Sequence, residues 1–356
     1  MTLPAARATA QSTYAHAERG MMALSVWTER RPDLGEDAEP LLVHHRPSGS
    51  GLLSVFDGLG GSGSSTVWQD SHGRARSGAW VASRLARLGT ESWFVQLPRA
   101  RHALPETSAP SLTGHLRWLF GSFAPPPRRS KVVGSMRRHL PTTLAALRYN
   151  VREDSVECEA LWAGDSRAYV LTADAGLRAL TRDHTDEQDT LAQLVQDPQM
   201  TNAVCADRHF EVQSHAWTFT GEPCVLLCAT DGFFGYVHTP GDFEHVLLST
   251  LERADSLNAW ARSLADTVTS YTADDASLAL VALGYDTFEH VRQHLALRFA
   301  QLDHWAVNMP DPQDDTAMRR WRIESWERYR PAYEAWMPPL PGTAETEEPG
   351  AEGGGR

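Results

Sequence analysis

Short apolar runs, each closed by glycine or an acidic turn, recur along this chain and predict strands over Met22–Trp27, Gly51–Phe56, Leu144–Tyr149, Ser155–Ala163, Ala168–Thr172, Cys224–Ala229 and Ser277–Leu283. Between the second and third runs the period lengthens. Ala79, Val81, Ala82, Leu85 and Leu88 recur at helical spacing from Gly78 onward, and Leu112–Phe120 carries a second helical stretch. Ala124-Pro125-Pro126-Pro127 cannot continue that helix, because proline has no amide to donate and clashes with the preceding turn. A surface connection is expected there. Two strand groups around a helical block predict an α+β layered architecture.

The ends of the chain are patterned differently. Residues 1–20 are small and polar without clear periodicity, which predicts a flexible leader. Beyond a domain expected over 21–285, Val291, Leu295, Phe299 and Leu302 form one helical stripe, and Ile323, Trp326, Tyr329, Tyr333 and Trp336 form an aromatic one. Pro331 is expected to kink or end the second helix. This extension, 286–337, has two uses for such stripes: docking on the domain, or presenting a surface to a protein partner or a cover to the active-site cleft. Residues 338–356, rich in Pro, Gly, Glu and Thr, cannot bury enough apolar surface to order themselves, so a disordered tail is expected.

The chain has 356 residues with 42% hydrophobic content and 12 Trp, enough for a sizeable core. A net charge of −12 argues against nucleic acid or an anionic membrane surface as the main partner, since both are bound by basic patches. No apolar run approaches the roughly 20 residues that span a bilayer, and Met1–Gln11 lacks the apolar stretch of a secretion signal. A cytoplasmic location is expected. Cys158, Cys205, Cys224 and Cys228 read as reduced core residues, the last two spaced too far along one strand to bridge without distortion.

Four aspartate-bearing segments close or open the apolar runs: Asp57-Gly58-Leu59-Gly60-Gly61, Gly164-Asp165-Ser166-Arg167, Thr230-Asp231-Gly232 and Asp274-Asp275. Any one of them alone is a turn. Together they put carboxylates at strand ends, where they can converge as oxygen ligands on Mg²⁺ or Mn²⁺. The glycine-rich stretch 58–65 is not read as a nucleotide loop, because it lacks the lysine that a P-loop places before its Ser or Thr.

With Gly35-Glu36-Asp37-Ala38, Pro141-Thr142-Thr143-Leu144, Thr181-Arg182-Asp183-His184-Thr185 and the run Gly164-Asp165-Ser166-Arg167-Ala168-Tyr169, these segments resemble the PPM, or type 2C, family of protein serine/threonine phosphatases, bacterial type. The resemblance lies in order, residue type and flanking strands over roughly residues 20 to 285. It implies two antiparallel sheets packed as a central sandwich with helices outside. It also implies hydrolysis of phosphoserine and phosphothreonine in proteins by a water activated between two Mn²⁺ or Mg²⁺ ions.

By the same resemblance Asp57 bridges both ions, with the Gly58 carbonyl as a further ligand. Asp231 and Asp274 bind the first ion, and Glu36 or Asp37 supplies the second, directly or through water. Asp165 matches a position that in bacterial members helps hold a third, weaker ion with the equivalent of Asp231. For the phosphate-binding arginine Arg31 is the best candidate, one residue further out than the family spacing, with Arg30 as the alternative.

The sequence also departs from the family. Residues 62–76 read as an insertion, Leu59 stands where animal members carry a histidine proposed as general acid, and 186–208 corresponds to a divergent flap. His184 is expected to be a framework histidine, and neither it nor His209 is assigned to proton transfer. The competing reading is a regulatory or scaffold protein that keeps the fold with little turnover and binds a phosphorylated partner through its aromatic C-terminal helices.

Overall fold

The computed structural model of the protein describes residues 10–97, 108–123, 138–194, 198–306 and 308–340. The proline-rich segment after Phe123 and all but the first three residues of the expected tail, 338–356, lie outside them. One antiparallel sheet contains β1 (Ala10–Glu18), β2 (Met21–Glu29), β9 (Arg167–Thr172), β10 (Gly176–Ala179), β12 (Cys224–Ala229) and β13 (Ala276–Leu283), in the order β1-β2-β13-β12-β9-β10. The other contains β3 (Leu41–His45), β4 (Ser50–Val55), β7 (Leu144–Val151), β8 (Ser155–Ala163) and β11 (Gln213–Thr220), in the order β11-β8-β7-β4-β3.

Both faces of the central strands are buried, which is why they read as unbroken apolar runs. Along β12, Cys224, Leu226 and Cys228 point between the sheets, where they meet Leu53, Val55, Leu147, Trp162 and Val170, while Val225, Leu227 and Ala229 point outward. The outward face of the first sheet is covered by α6 (Pro240–Arg253), α7 (Leu257–Tyr271), α8 (Phe288–Ala306) and α9 (Asp315–Tyr333). Helices α2 (Gly78–Gln96) and α3 (Ala109–Phe123) cover the second sheet against Leu52, Ala146 and Leu161. The result is the expected sandwich flanked by helices. All four cysteines are free and buried. Among the described residues, no helix is long and apolar enough to cross a membrane.

Three expectations change. The stretch read as a flexible leader contains β1, paired with β2 from Ala10↔Glu29 to Glu18↔Met21. Its side chains are mostly exposed, so the backbone ladder rather than an apolar stripe makes the strand. The insertion at 62–76 is a short helix, α1 (Gly60–Gly63), followed by a hairpin of β5 (Thr66–Gln69) and β6 (Ala75–Ser77). Helices α6 and α7 were not predicted, although Thr239-Pro240-Gly241-Asp242 carries a start signal: the Asp242 carboxylate accepts from the Thr239 amide at 2.9 Å, with Pro240 in the first turn.

The extension docks on the domain. Val291, Leu295, Trp326, Tyr329 and Tyr333 are buried in the cluster over the first sheet, whereas Ile323 is 44% exposed and outside it. Pro331 sits in the last turn of α9. Glu244 of α6 is fully buried and accepts from Arg298 of α8 on both oxygens, at 2.6 and 2.8 Å, and from the Tyr329 hydroxyl of α9. Glu244→Ala leaves Arg298 without its carboxylate and should lower unfolding stability by about 3–5 kcal/mol. Denaturant melting of that variant beside the native chain measures it.

Candidate active site

Antiparallel pairing gathers the acidic segments at one end of the sandwich. In the first sheet Thr28 pairs with Ala276, Ala229 with Leu278 and Ala229 with Arg167, so the end of β2, the start of β13, the end of β12 and the start of β9 share one edge. In the second, Val55 pairs with Ala145 and Leu144 with Ala163. Glu36 and Asp37 follow β2, Asp57 follows β4, Asp165 lies between β8 and β9, Asp231 opens the short α5 (Asp231–Phe234) after β12, and Asp274 precedes β13.

The Thr142-Thr143 pair fixes the backbone at Asp57. The Asp57 amide donates to Thr143 Oγ1 at 3.1 Å, and its carbonyl accepts from the Thr143 amide at 2.8 Å and the Thr142 hydroxyl at 2.7 Å. The next two glycines make room for Glu36: a Cβ at Gly58 would stand 2.5 Å from the Glu36 carbonyl oxygen, and one at Gly60 would run into the Glu36 carboxylate. The Glu36 carboxylate accepts from the Ser77 hydroxyl at the end of β6.

Glu36 and Asp37 have different surroundings. Asp37 is buried, and its Oδ2 accepts from Thr230 Oγ1 at 3.0 Å and Ser277 Oγ at 2.8 Å. Glu36 is only partly covered. Asp275, which sequence reasoning left without a role, ties the loop bearing Glu36 to the loop bearing Asp274. Its Oδ1 accepts from the Arg30 amide at 2.7 Å and its Oδ2 from the Glu36 amide at 2.6 Å. Arg84 of α2, also unforeseen, donates to the carbonyls of Gly35 at 3.1 Å and Glu36 at 3.2 Å. Arg31 is exposed, and the neighbouring Arg30 is the guanidinium whose charge acts on Asp274 and Tyr236.

On the far side, Arg167 forms a buried bidentate pair with Asp183, at 2.9 and 2.7 Å. The adjacent His184 is a framework residue, as expected. Its Nδ1 accepts from the Gly164 amide at 3.1 Å, its own amide donates to the Gly164 carbonyl at 3.0 Å, and its ring stacks on Trp162. His209 meets Arg117 on α3.

Neither a protein-family profile nor a curated protein sequence matches the chain. Among solved structures, a bacterial serine phosphatase is similar at 18% identity and a TM-score of 0.51, covering 79% of this chain and 100% of its own. An arginine-to-lysine variant of a bacterial serine phosphatase gives 17% identity and 0.50, covering 78% and 98%. This chain has the type 2C phosphatase fold.

Within that type 2C fold the carboxylates strongly perturb one another. Burial, followed by the charges of Asp37, Asp231, Asp165 and Asp274, raises Asp57 well above the usual carboxylate range. Burial and then Asp275 do the same to Asp37. Burial together with Asp231 pushes Asp165 up to about 8, and burial together with Asp274 pushes Asp231 up to about 6. Among the described residues no three His, Cys, Asp or Glu side chains stand close enough together to form a ready-made ion cage.

The donor set nevertheless fits a hard divalent ion. It offers carboxylate oxygens without thiolate or imidazole, and Asp165 Oδ1 is buried without a hydrogen-bond partner.

These raised values fix the sign of a pH effect. With folded-state values above the unfolded value of about 4, the protonated carboxyls favour folding below that pH. The contribution fades as pH rises through about 6 and about 8, the ranges of Asp231 and Asp165. Metal-free protein should therefore melt lower at pH 8 than at pH 5.5. Mn²⁺ should raise the melting temperature more at pH 8, because ligands must be deprotonated to bind. Scanning calorimetry at both pH values, with chelator and with Mn²⁺, reads the difference. Asp275→Ala removes both amide caps and should cost on the order of 1–3 kcal/mol of stability. Denaturant melting is again the check.

Proposed function

We propose that this protein is a Mn²⁺- or Mg²⁺-dependent hydrolase that removes phosphate from phosphoserine or phosphothreonine in proteins, working in the cytoplasm. The observation that carries the reading is that Asp57, Asp231, Asp165 and Asp37 lie at one end of the sandwich, near enough to shift one another's ionisation. Perturbed carboxylates gathered in this way mark functional sites. Asp57, with the Gly58 carbonyl, would serve two ions; Asp231 and Asp274 would complete the first, Glu36 or Asp37 the second, and Asp165 a third. Bound there, such ions supply a water acidic enough to attack phosphorus and offset the phosphoryl charge.

The remaining steps belong to the chain's own side chains. Asp57 and Asp231, whose ionisation burial opposes, would have to be deprotonated to serve as ligands. Thr142 and Thr143 hold Asp57 in place, and Asp275 holds the loop of Glu36. Ser277 and Thr230 supply hydrogen bonds that favour the ionised form of Asp37. Arg30 or Arg31, both on the exposed loop after β2, would orient phosphoryl oxygens. In-line attack by water predicts no covalent enzyme intermediate.

The decisive experiment measures hydrolysis of a phosphothreonine peptide with Mn²⁺, with Mg²⁺ and with chelator, beside Asp231→Asn. Metal-dependent turnover, lowered at least about 100-fold by that change, is expected. Inactivity of folded protein with every metal would overturn the enzyme reading and favour a phosphatase-fold binding protein.

A further inference from the structure

The end of α9 meets one segment of the domain, residues 182–193, through several separate contacts. Arg330 Nη1 lies 3.3 Å from Asp189 Oδ2, Glu334 Oε1 accepts from the Thr190 hydroxyl at 3.3 Å, and Arg182 Nε donates to the Pro338 carbonyl at 3.0 Å. Arg330 and Glu334 also pair with each other at 2.9 Å. Asp189 takes part in two structures at once, since its Oδ1 accepts from the Leu191 and Ala192 amides and so caps the short helix α4 (Thr190–Gln193).

From its other side the same segment holds the turn that carries Asp165. Asp183 pairs with Arg167, Gln193 Oε1 accepts from Arg167 Nη2 at 2.9 Å, and His184 bonds both the amide and the carbonyl of Gly164. Tyr333 spans the two sides directly: it is buried among Tyr169, Trp326 and Tyr329, and its hydroxyl lies 3.4 Å from Arg167 Nη1.

We propose that the end of α9 is a positioning element for the Asp165 side of the acidic centre, acting through segment 182–193. The inference rests on the phosphatase reading for its consequence in catalysis, but the mechanical link does not. The outer contacts are one half-exposed ion pair, Arg330–Asp189, worth at most about 1 kcal/mol, and two hydrogen bonds. The inner one is a packed aromatic anchor. Such a clamp can loosen at its outer end while the helix stays docked.

The test compares the native protein with Arg330→Ala/Glu334→Ala and with Tyr333→Phe, which keeps the ring and loses only the hydroxyl. Hydrogen exchange is followed by peptide, and Mn²⁺ binding by calorimetry. Both variants should exchange faster, on the order of tenfold, over 182–194 and over 164–168, with α2 and the second sheet unchanged and Mn²⁺ bound several-fold more weakly.

Unchanged exchange would overturn the proposal, as would faster exchange confined to 182–194. Faster exchange over the whole first sheet would make α9 a general stabiliser and overturn it too. Weaker Mn²⁺ binding without the exchange change would equally count against it. Native protein that hydrolyses no phosphopeptide would sink the phosphatase reading, while the exchange pattern would still decide whether the clamp exists.

Discussion

Asp37, Asp57, Asp165, Asp231 and Asp274 repel one another across the open end of the sandwich, and the surrounding architecture must hold them there. Asp57, Asp165 and Asp274 sit within two residues of a strand end and Asp231 opens a short helix, so the sheet ladder fixes their backbone, while Asp37 lies in the loop between β2 and β3. Hydroxyl groups do much of the remaining work. Thr142 and Thr143 fasten Asp57, Thr230 and Ser277 donate to Asp37, and Thr143 and Ser166 hydroxyls meet at 2.6 Å to link the two acidic turns. Small donors can hydrogen-bond a carboxylate without bringing a compensating charge.

That choice of partners bears on function. A chain that needed only to neutralise these acids could place guanidinium groups among them. Here Arg167, two residues after Asp165, is engaged by Asp183 and Gln193, while Arg84 is turned to backbone carbonyls. Burial and the neighbouring carboxylate charges push Asp57 and Asp231 toward their protonated forms. Carboxylates crowded in this way are costly to ionise, and a divalent cation, as proposed, would offset that cost.

The central strands were legible because both of their faces are buried: β12 and β13 read as apolar runs, and the aspartates appeared where those runs stopped. β1 was not, since an exposed edge strand held by main-chain pairing leaves no hydrophobic period. The hairpin at 66–77 was read only as an insertion, its first strand being exposed throughout. Glu36 and Asp37 could not be told apart in sequence because their difference lies in which hydroxyls reach them from β13 and β6. Asp275 was undervalued for the same reason, its partners lying 245 and 239 residues away. The roles of Arg30 and Arg31 depend on how the loop after β2 turns, and spacing alone does not contain that turn.

The extension shows how packing and chemistry become one problem in this fold. Its aromatic stripe could serve a core or a partner, and the sequence had no means of choosing. Burial decides the fate of Trp326, Tyr329 and Tyr333, and in doing so delivers the Tyr333 hydroxyl to Arg167 and the end of α9 to Asp189 and Thr190. The same residues that bury apolar surface over the first sheet therefore touch the support of the Asp165 turn. A core substitution in α9 need not stop at stability, because the acidic end and the extension share segment 182–193 as a common wall.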